Sequence, residues 1–173
     1  MINTAFSGGL NWNCEVRLAA LSAALVALVS TSCGLSHQQT EFDRRVSAVI
    51  ERDCGRLADC KIRLGDCGGF RWDRMYVFPQ EAPEDDIAKV LGQPLPGYAE
   101  TYLQEVFLLG GRIVRYERAM PDPERPPKGG VEFRIPTDRG FTEYEPDEPV
   151  PVTIEILSNY RYYVLGTNPA LGR

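Results

Sequence analysis

Residues Phe70 to Phe78 read FRWDRMYVF. Aromatic and branched side chains fall on both parities of this run. A strand built from it is apolar on both faces, and such a strand belongs in the middle of a sheet. Pro79 ends it, because proline has no N–H to give to a ladder. Upstream, "GDCGG" (Gly65 to Gly69) turns the chain, and "CKIRL" (Cys60 to Leu64) alternates as a strand does.

Working outward, Thr40 is placed to cap a helix, with Asp43 at the capping-box position. Phe42, Val46, Val49 and Ile50 follow at helical spacing, Arg44, Arg45, Glu51 and Arg52 face elsewhere, and the helix should end near Cys54-Gly55. Beyond the central strand, Pro83 and the acids Glu84, Asp85 and Asp86 open a short helix that Gly92 closes. "EVFLLGGRIVRYERA" reads as a hairpin about Gly110-Gly111, and "MPDPERPPKGG" as a loop too rich in proline and glycine for regular structure. "VEFRI" is a further strand, "PTDRGFTEYEPDEPVP" an acidic connection, and "VTIEIL" with "YRYYVL" a last hairpin around Ser158-Asn159. The fold class expected is α+β: an N-terminal amphipathic helix and one short helix packed on a mainly antiparallel sheet of about six or seven strands. The domain is read as 40–173.

At 173 residues, with 43% hydrophobic and 25% charged residues, the chain has a globular composition. Its net charge of −5 and scattered arginines give no basic face, which speaks against a nucleic-acid partner. Leu18 to Val29 (LAALSAALVALV) is apolar and uncharged over 12 residues. That falls short of the roughly 20 a spanning helix needs and fits the middle of a secretory signal. Small residues Ser30, Thr31 and Ser32 follow, then Cys33. The segment resembles the signal of bacterial lipoproteins, which implies cleavage before Cys33 and lipid on that residue. Ser30 departs from that pattern, since leucine is commonest there, and Glu15 offsets Arg17. Gly34 after the cysteine implies sorting to the outer membrane by the same analogy. Competing readings of residues 18–32 are a core helix, a signal for ordinary peptidase that frees a secreted or periplasmic protein, and an uncleaved anchor. Residues 1–32 are thus expected to be a signal, and 33–39 a polar tether carrying the domain on a membrane.

Five cysteines are present: Cys14, Cys33, Cys54, Cys60 and Cys67. With the first two assigned to leader and lipid, an exported chain is expected to form one disulfide among Cys54, Cys60 and Cys67. All three pairings stay open, and a bridge here would pin the end of the first helix to the first strand. The spacing C-x5-C-x6-C lacks the paired C-x2–4-C of zinc sites and the C-x-x-C of redox motifs.

Little in the sequence specifies a reaction. After cleavage the remaining serines are Ser36, Ser47 and Ser158; the single histidine, His37, lies on the tether, and a Ser-His-Asp arrangement would require it to fold back onto the domain. Asp66, Asp73, Glu143, Glu145, Asp147 and Glu148 are the carboxylates available for acid–base work or calcium, yet no D-x-D-x-D-G spacing occurs. The glycine pairs Gly68-Gly69 and Gly129-Gly130 match no phosphate-binding pattern. No catalytic residue, metal or cofactor is expected.

The run Phe70, Trp72, Asp73, Tyr76, Phe78, followed by Pro83, Ile87, Leu91 and Gly92 and then by Val106, Phe107, Gly111, Arg112, Ile113 and Val114, resembles an uncharacterised family of small bacterial envelope lipoproteins with an F-x-W-D-[KR]-[MV]-Y-[VI]-F motif. Relatives usually carry Thr or Ser where this chain has Ala82. The resemblance spans roughly residues 42–165 and implies architecture and compartment, without an activity. Phe70 and Trp72 are read as sealing the helix against the sheet. The expected function is a membrane-tethered, non-catalytic binding or structural domain whose partner is another envelope component. The alternative is a soluble periplasmic module for a small molecule or of inhibitor type, for which a groove beside Gly110-Gly111 would speak. A hydrolase working through Asp66 or Asp73 is a third reading.

Overall fold

The capping box at Thr40 forms: Thr40 Oγ1 accepts from the Asp43 N–H at 2.9 Å, and Asp43 Oδ2 accepts from the Thr40 N–H at 3.2 Å. It opens α1 (Glu41–Asp53), which buries Phe42, Val46, Val49 and Ile50. In this computed structural model the described residues are 39–55, 60–122, 124, 126–157 and 160–166. The apolar run 18–29, Cys14, Cys33, Ser36, His37, Ser158 and Asn159 lie outside them.

Helix α1 ends at Cys54, which is disulfide-bonded to Cys60, the first residue of β1 (Cys60–Arg63). Of the three pairings, Cys54–Cys60 is therefore the one made, and Cys67 stays a buried free thiol. Cys67 sits on α2 (Gly65–Gly68), a single helical turn where the sequence reads as a simple turn. Gly69 then adopts a positive φ of 66°, and a β-carbon there would strike the Arg45 guanidinium, which donates to the Gly68 carbonyl at 2.9 Å.

The central strand is shorter than expected: β2 covers only Arg74–Phe78. Residues 70–73 run into it unpaired apart from the Asp73 N–H, which donates to the Leu108 carbonyl at 2.8 Å. The bend at Asp73 divides the aromatic run between two cores. Phe70 and Trp72 join one with Met75 and Val77, while Tyr76 and Phe78 turn to the other. After β2, α3 (Glu84–Leu91) starts at Pro83 without a side-chain cap and stops at Gly92 in the left-handed conformation. Strands β3 (Leu103–Leu109) and β4 (Arg112–Ala119) form the hairpin, with Gly110 and Gly111 both at positive φ in a two-residue turn. Strands β5 (Val131–Phe133), β6 (Thr142–Tyr144), β7 (Pro149–Leu157) and β8 (Tyr160–Leu165) complete the described residues.

The expectation of one sheet of six or seven strands is overturned. Among the described residues there are two separate four-stranded sheets, ordered β1-β7-β8-β5 and β4-β3-β2-β6, and three helices instead of two. Two pairings account for the difference. Strand β1 leaves its neighbour in sequence and pairs with β7, Cys60 opposite Val152. Strand β6, read from sequence as an acidic connection, closes the edge of β2 with Met75 opposite Tyr144. Pairing is antiparallel except between β5 and β8. The β2-centred sheet is covered on both sides. Ile87, Leu91 and Leu95 cover Phe78, Val106 and Leu108 on its outer face. On its inner face Met75, Val77 and Phe107 share a core with α1 and with the other sheet, through Ile62, Phe133, Val150, Val152, Tyr163 and Leu165. At the centre of that core Phe107 takes edge-on contacts from Phe42 at 4.8 Å, Phe70 at 5.0 Å and Trp72 at 5.7 Å.

Candidate binding site: a buried carboxyl pair beside a cavity

Side chains alternate along β3. Gln104, Val106 and Leu108 face α3, whereas Leu103, Glu105 and Phe107 face inward. The two polar residues in this apolar strand are treated very differently. Gln104 is fully satisfied: its amide donates to the Ala99 and Tyr102 carbonyls at 2.6 and 2.8 Å, and its oxygen accepts from the Tyr116 hydroxyl. Glu105 is wholly buried, and only one of its oxygens has a donor, the Thr40 hydroxyl at 3.0 Å.

The same pattern holds for Asp43, 3% exposed, whose Oδ2 is taken by the Thr40 N–H while Oδ1 has no donor. The two carboxyl groups approach within hydrogen-bonding reach of each other. Two carboxylates cannot bond without a proton between them, so the pair holds one proton in common. Burial, and then the charge of Asp43, pushes Glu105 well above the usual carboxylate range. Burial also raises Asp43, to about 6, opposed by its bond from the Thr40 backbone. Of the two, Glu105 is held in its protonated form the more strongly, and Asp43 is the one that ionises first. The positive end of α1 supports the charge on Asp43.

Glu117, opposite Glu105 on β4, is the third acid of the group and is tied down on both oxygens. One accepts from the Phe42 N–H at 3.1 Å, the other from the Arg115 guanidinium. Arg115 also donates to Glu41 at 2.9 Å and lies 4.9 Å from the centre of the Phe70 ring. These bonds dock the N-terminus of α1 onto the β2-centred sheet. Among the described residues no three such acids, cysteines or histidines are placed to hold a metal ion.

Asp43 and Glu105 form part of the wall of a cavity of about 210 Å³ between the two sheets. Leu103, Ala119, Val131, Phe133 and Ile135 supply much of the rest, with a cover from the proline-rich loop at Met120, Pro121, Pro126 and Pro127. The cavity is thus mostly apolar, with the acids Asp43 and Glu105 among its wall residues.

The residues singled out from sequence lie elsewhere. Phe70, Trp72, Tyr76 and Phe78 are packing residues, the last two in a cluster with Phe141. Asp73 Oδ2 accepts from the Gly110 N–H at 2.6 Å and so closes the hairpin turn. Asp66 is exposed on α2. Glu143 and Glu145 share Arg74, the latter at 3.0 Å, and Glu143 belongs to a strand instead of a loop. Gly110 and Gly111 are not part of the cavity wall. Burial raises the Cys67 thiol to about 11, which makes it a poor nucleophile. Sequence reasoning missed Glu105. The signal was available: an acid at an inward position between Leu103 and Phe107, in a strand whose other inward residues are apolar.

No helix among the described residues is long and apolar enough to cross a membrane. Compared with family models, with curated proteins and with solved structures, the chain matches none.

Proposed function

We propose that the chain is an exported protein of the cell envelope, lipid-anchored through Cys33 and facing the periplasm, and that its folded domain acts by binding without catalysis. The observation that carries the binding reading is the apolar cavity with its two buried carboxyl groups. A well-formed apolar pocket with a few convergent polar groups is the usual form of a small-ligand site. The export reading rests on the short apolar run Leu18 to Val29 before Cys33. It is supported by the Cys54–Cys60 disulfide, a bond favoured in oxidising compartments. The resemblance to small envelope lipoproteins points the same way, and the partner is expected to be another envelope component.

Intact mass of the protein from native membranes tests the anchor. The expected product starts at Cys33, carries acyl mass and is two hydrogen atoms lighter for one disulfide. Cys33→Ala should lose the acyl mass and the membrane association. A product that starts at Met1, in the cytosol and with every thiol reduced, overturns the reading.

A further inference from the structure

The cavity wall has a specific chemical demand. Asp43 Oδ1 and Glu105 Oε1 are buried, have no protein donor, and belong to residues that form the wall. A shared proton meets that demand only at the cost of keeping one acid neutral. A neutral hydroxyl ligand offers one donor and leaves that proton in place. An ammonium group offers three donors and a full charge, so it satisfies both free oxygens as carboxylates and cancels the second negative charge. Among the described residues of the wall, the charged side chains are Asp43, Glu105, Asp122 and Glu132, all acids. The apolar wall residues, Leu103, Val131, Phe133 and Ile135 among them, suit a hydrocarbon body. Its volume, about 210 Å³, compares with the roughly 150 Å³ that accommodates benzene, so the ligand has roughly eight or nine non-hydrogen atoms.

From this geometry we infer that the cavity binds a small organic monocation, an apolar body bearing a primary ammonium, which takes the place of the proton shared by Asp43 and Glu105. The step balances: the ammonium enters already protonated, the two carboxyl groups turn toward it so that Asp43 Oδ1 and Glu105 Oε1, closed to solvent in the unliganded chain, accept its N–H groups, and the displaced carboxyl proton goes to buffer. The charged groups around the pair are Glu41 on α1, Arg115 and Glu117 on β4, and Asp122 and Glu132 at the cavity wall. Arg115 is engaged by Glu41 and Glu117 and so does not meet the pair's free oxygens. The inference rests on the binding role proposed above and adds the ligand class.

The test uses the full chain, with 2-phenylethylamine and its neutral counterpart 2-phenylethanol as probes, by calorimetry in buffers of different ionisation enthalpy from pH 6 to 8. The amine should bind at least tenfold more tightly than the alcohol at pH 8. It should release close to one proton per site, and tighten up to tenfold per pH unit over this range. Glu105→Gln should abolish the proton release, remove the pH dependence and weaken amine binding. Should that variant not fold, the proton count of the unaltered chain decides alone. Equal binding of amine and alcohol without proton release overturns the cation assignment while leaving a binding cavity. Binding of neither probe at millimolar concentration, to a chain with an intact thermal transition, overturns both.

Discussion

Glu105 is the residue whose chemistry departs furthest from its surroundings. An acid kept protonated by burial stabilises the fold at low pH and erodes it as pH rises. Its folded form keeps a proton that the unfolded chain surrenders above the ordinary carboxylate range. Asp43, raised to about 6, acts with the same sign between its ordinary value and that pH. Glu41 and Asp53, held low by Arg45 and Arg52, act with the opposite sign, losing stability as pH falls. Glu105→Gln imitates the protonated acid, since its oxygen can accept from Thr40 and its amide can donate to Asp43. The variant should match the unaltered chain near pH 5 and exceed it in stability at pH 8. The gap should grow by up to tenfold in the folding equilibrium per pH unit. Urea titrations at the two pH values measure this, and a less stable variant at pH 8 would refute the shared proton. Thr40 and Asp43 were legible in sequence as a cap, because a capping box is a local pattern. Their second role, toward Glu105, was not, because it depends on which strand the helix meets 65 residues later in the chain.

At the scale of elements, the two ends of α1 are fixed by different means. The N-terminus is held through Thr40, Glu41 and Phe42 to acids and a base on β3 and β4. The C-terminus is held by the Cys54–Cys60 bridge to β1, across a sequence separation of 6. Closing so short a loop stabilises by about 2 kcal/mol on the chain-entropy estimate. Cys54→Ala together with Cys60→Ala should cost that much by denaturant titration, and an unchanged midpoint would count against it. Gly65 is the other tight point. Its N–H donates to the Pro146 carbonyl at 2.9 Å, and a β-carbon would lie 2.8 Å from that same oxygen, with no flexible side chain to yield. Gly65→Ala should therefore lower the thermal midpoint by several degrees. The helices with caps and strong periodicity were legible in sequence, as was the hairpin at Gly110-Gly111. Strand β6 was not: three residues among acids and prolines carry too little pattern, and only pairing with β2 makes them a strand. The lone turn α2 was hidden for the same reason.

For the molecule as a whole, the two-sheet arrangement follows from the two apolar faces of β2. A sheet apolar on both sides needs two covers. Helix α3 is one; α1 with the second sheet is the other. The run Phe70 to Phe78 implies that both faces are buried and that the strand is central. It did not follow that a second sheet supplies one of the covers. The pairing of Cys60 with Val152 joins distant segments, and alternation within each strand is silent about its partner. Phe107 is the centre of the inner core, touched by rings from α1 and from the lead-in to β2. Phe107→Ala should cost about 3–5 kcal/mol in a chemical denaturation. Ile156→Ala, on a side chain 72% exposed, should stay within about 0.5 kcal/mol. Equal effects would mean that Phe107 does not anchor the inner core.

Gln39, the residue before the N-cap of α1, contributes to the cavity wall, six positions after Cys33. Fully drawn out, such a leash reaches about 20 Å. With acyl chains on Cys33, the opening would never drift far from the bilayer surface. A greasy cation partitioned among the headgroups would meet this pocket at a local concentration well above that in the surrounding fluid.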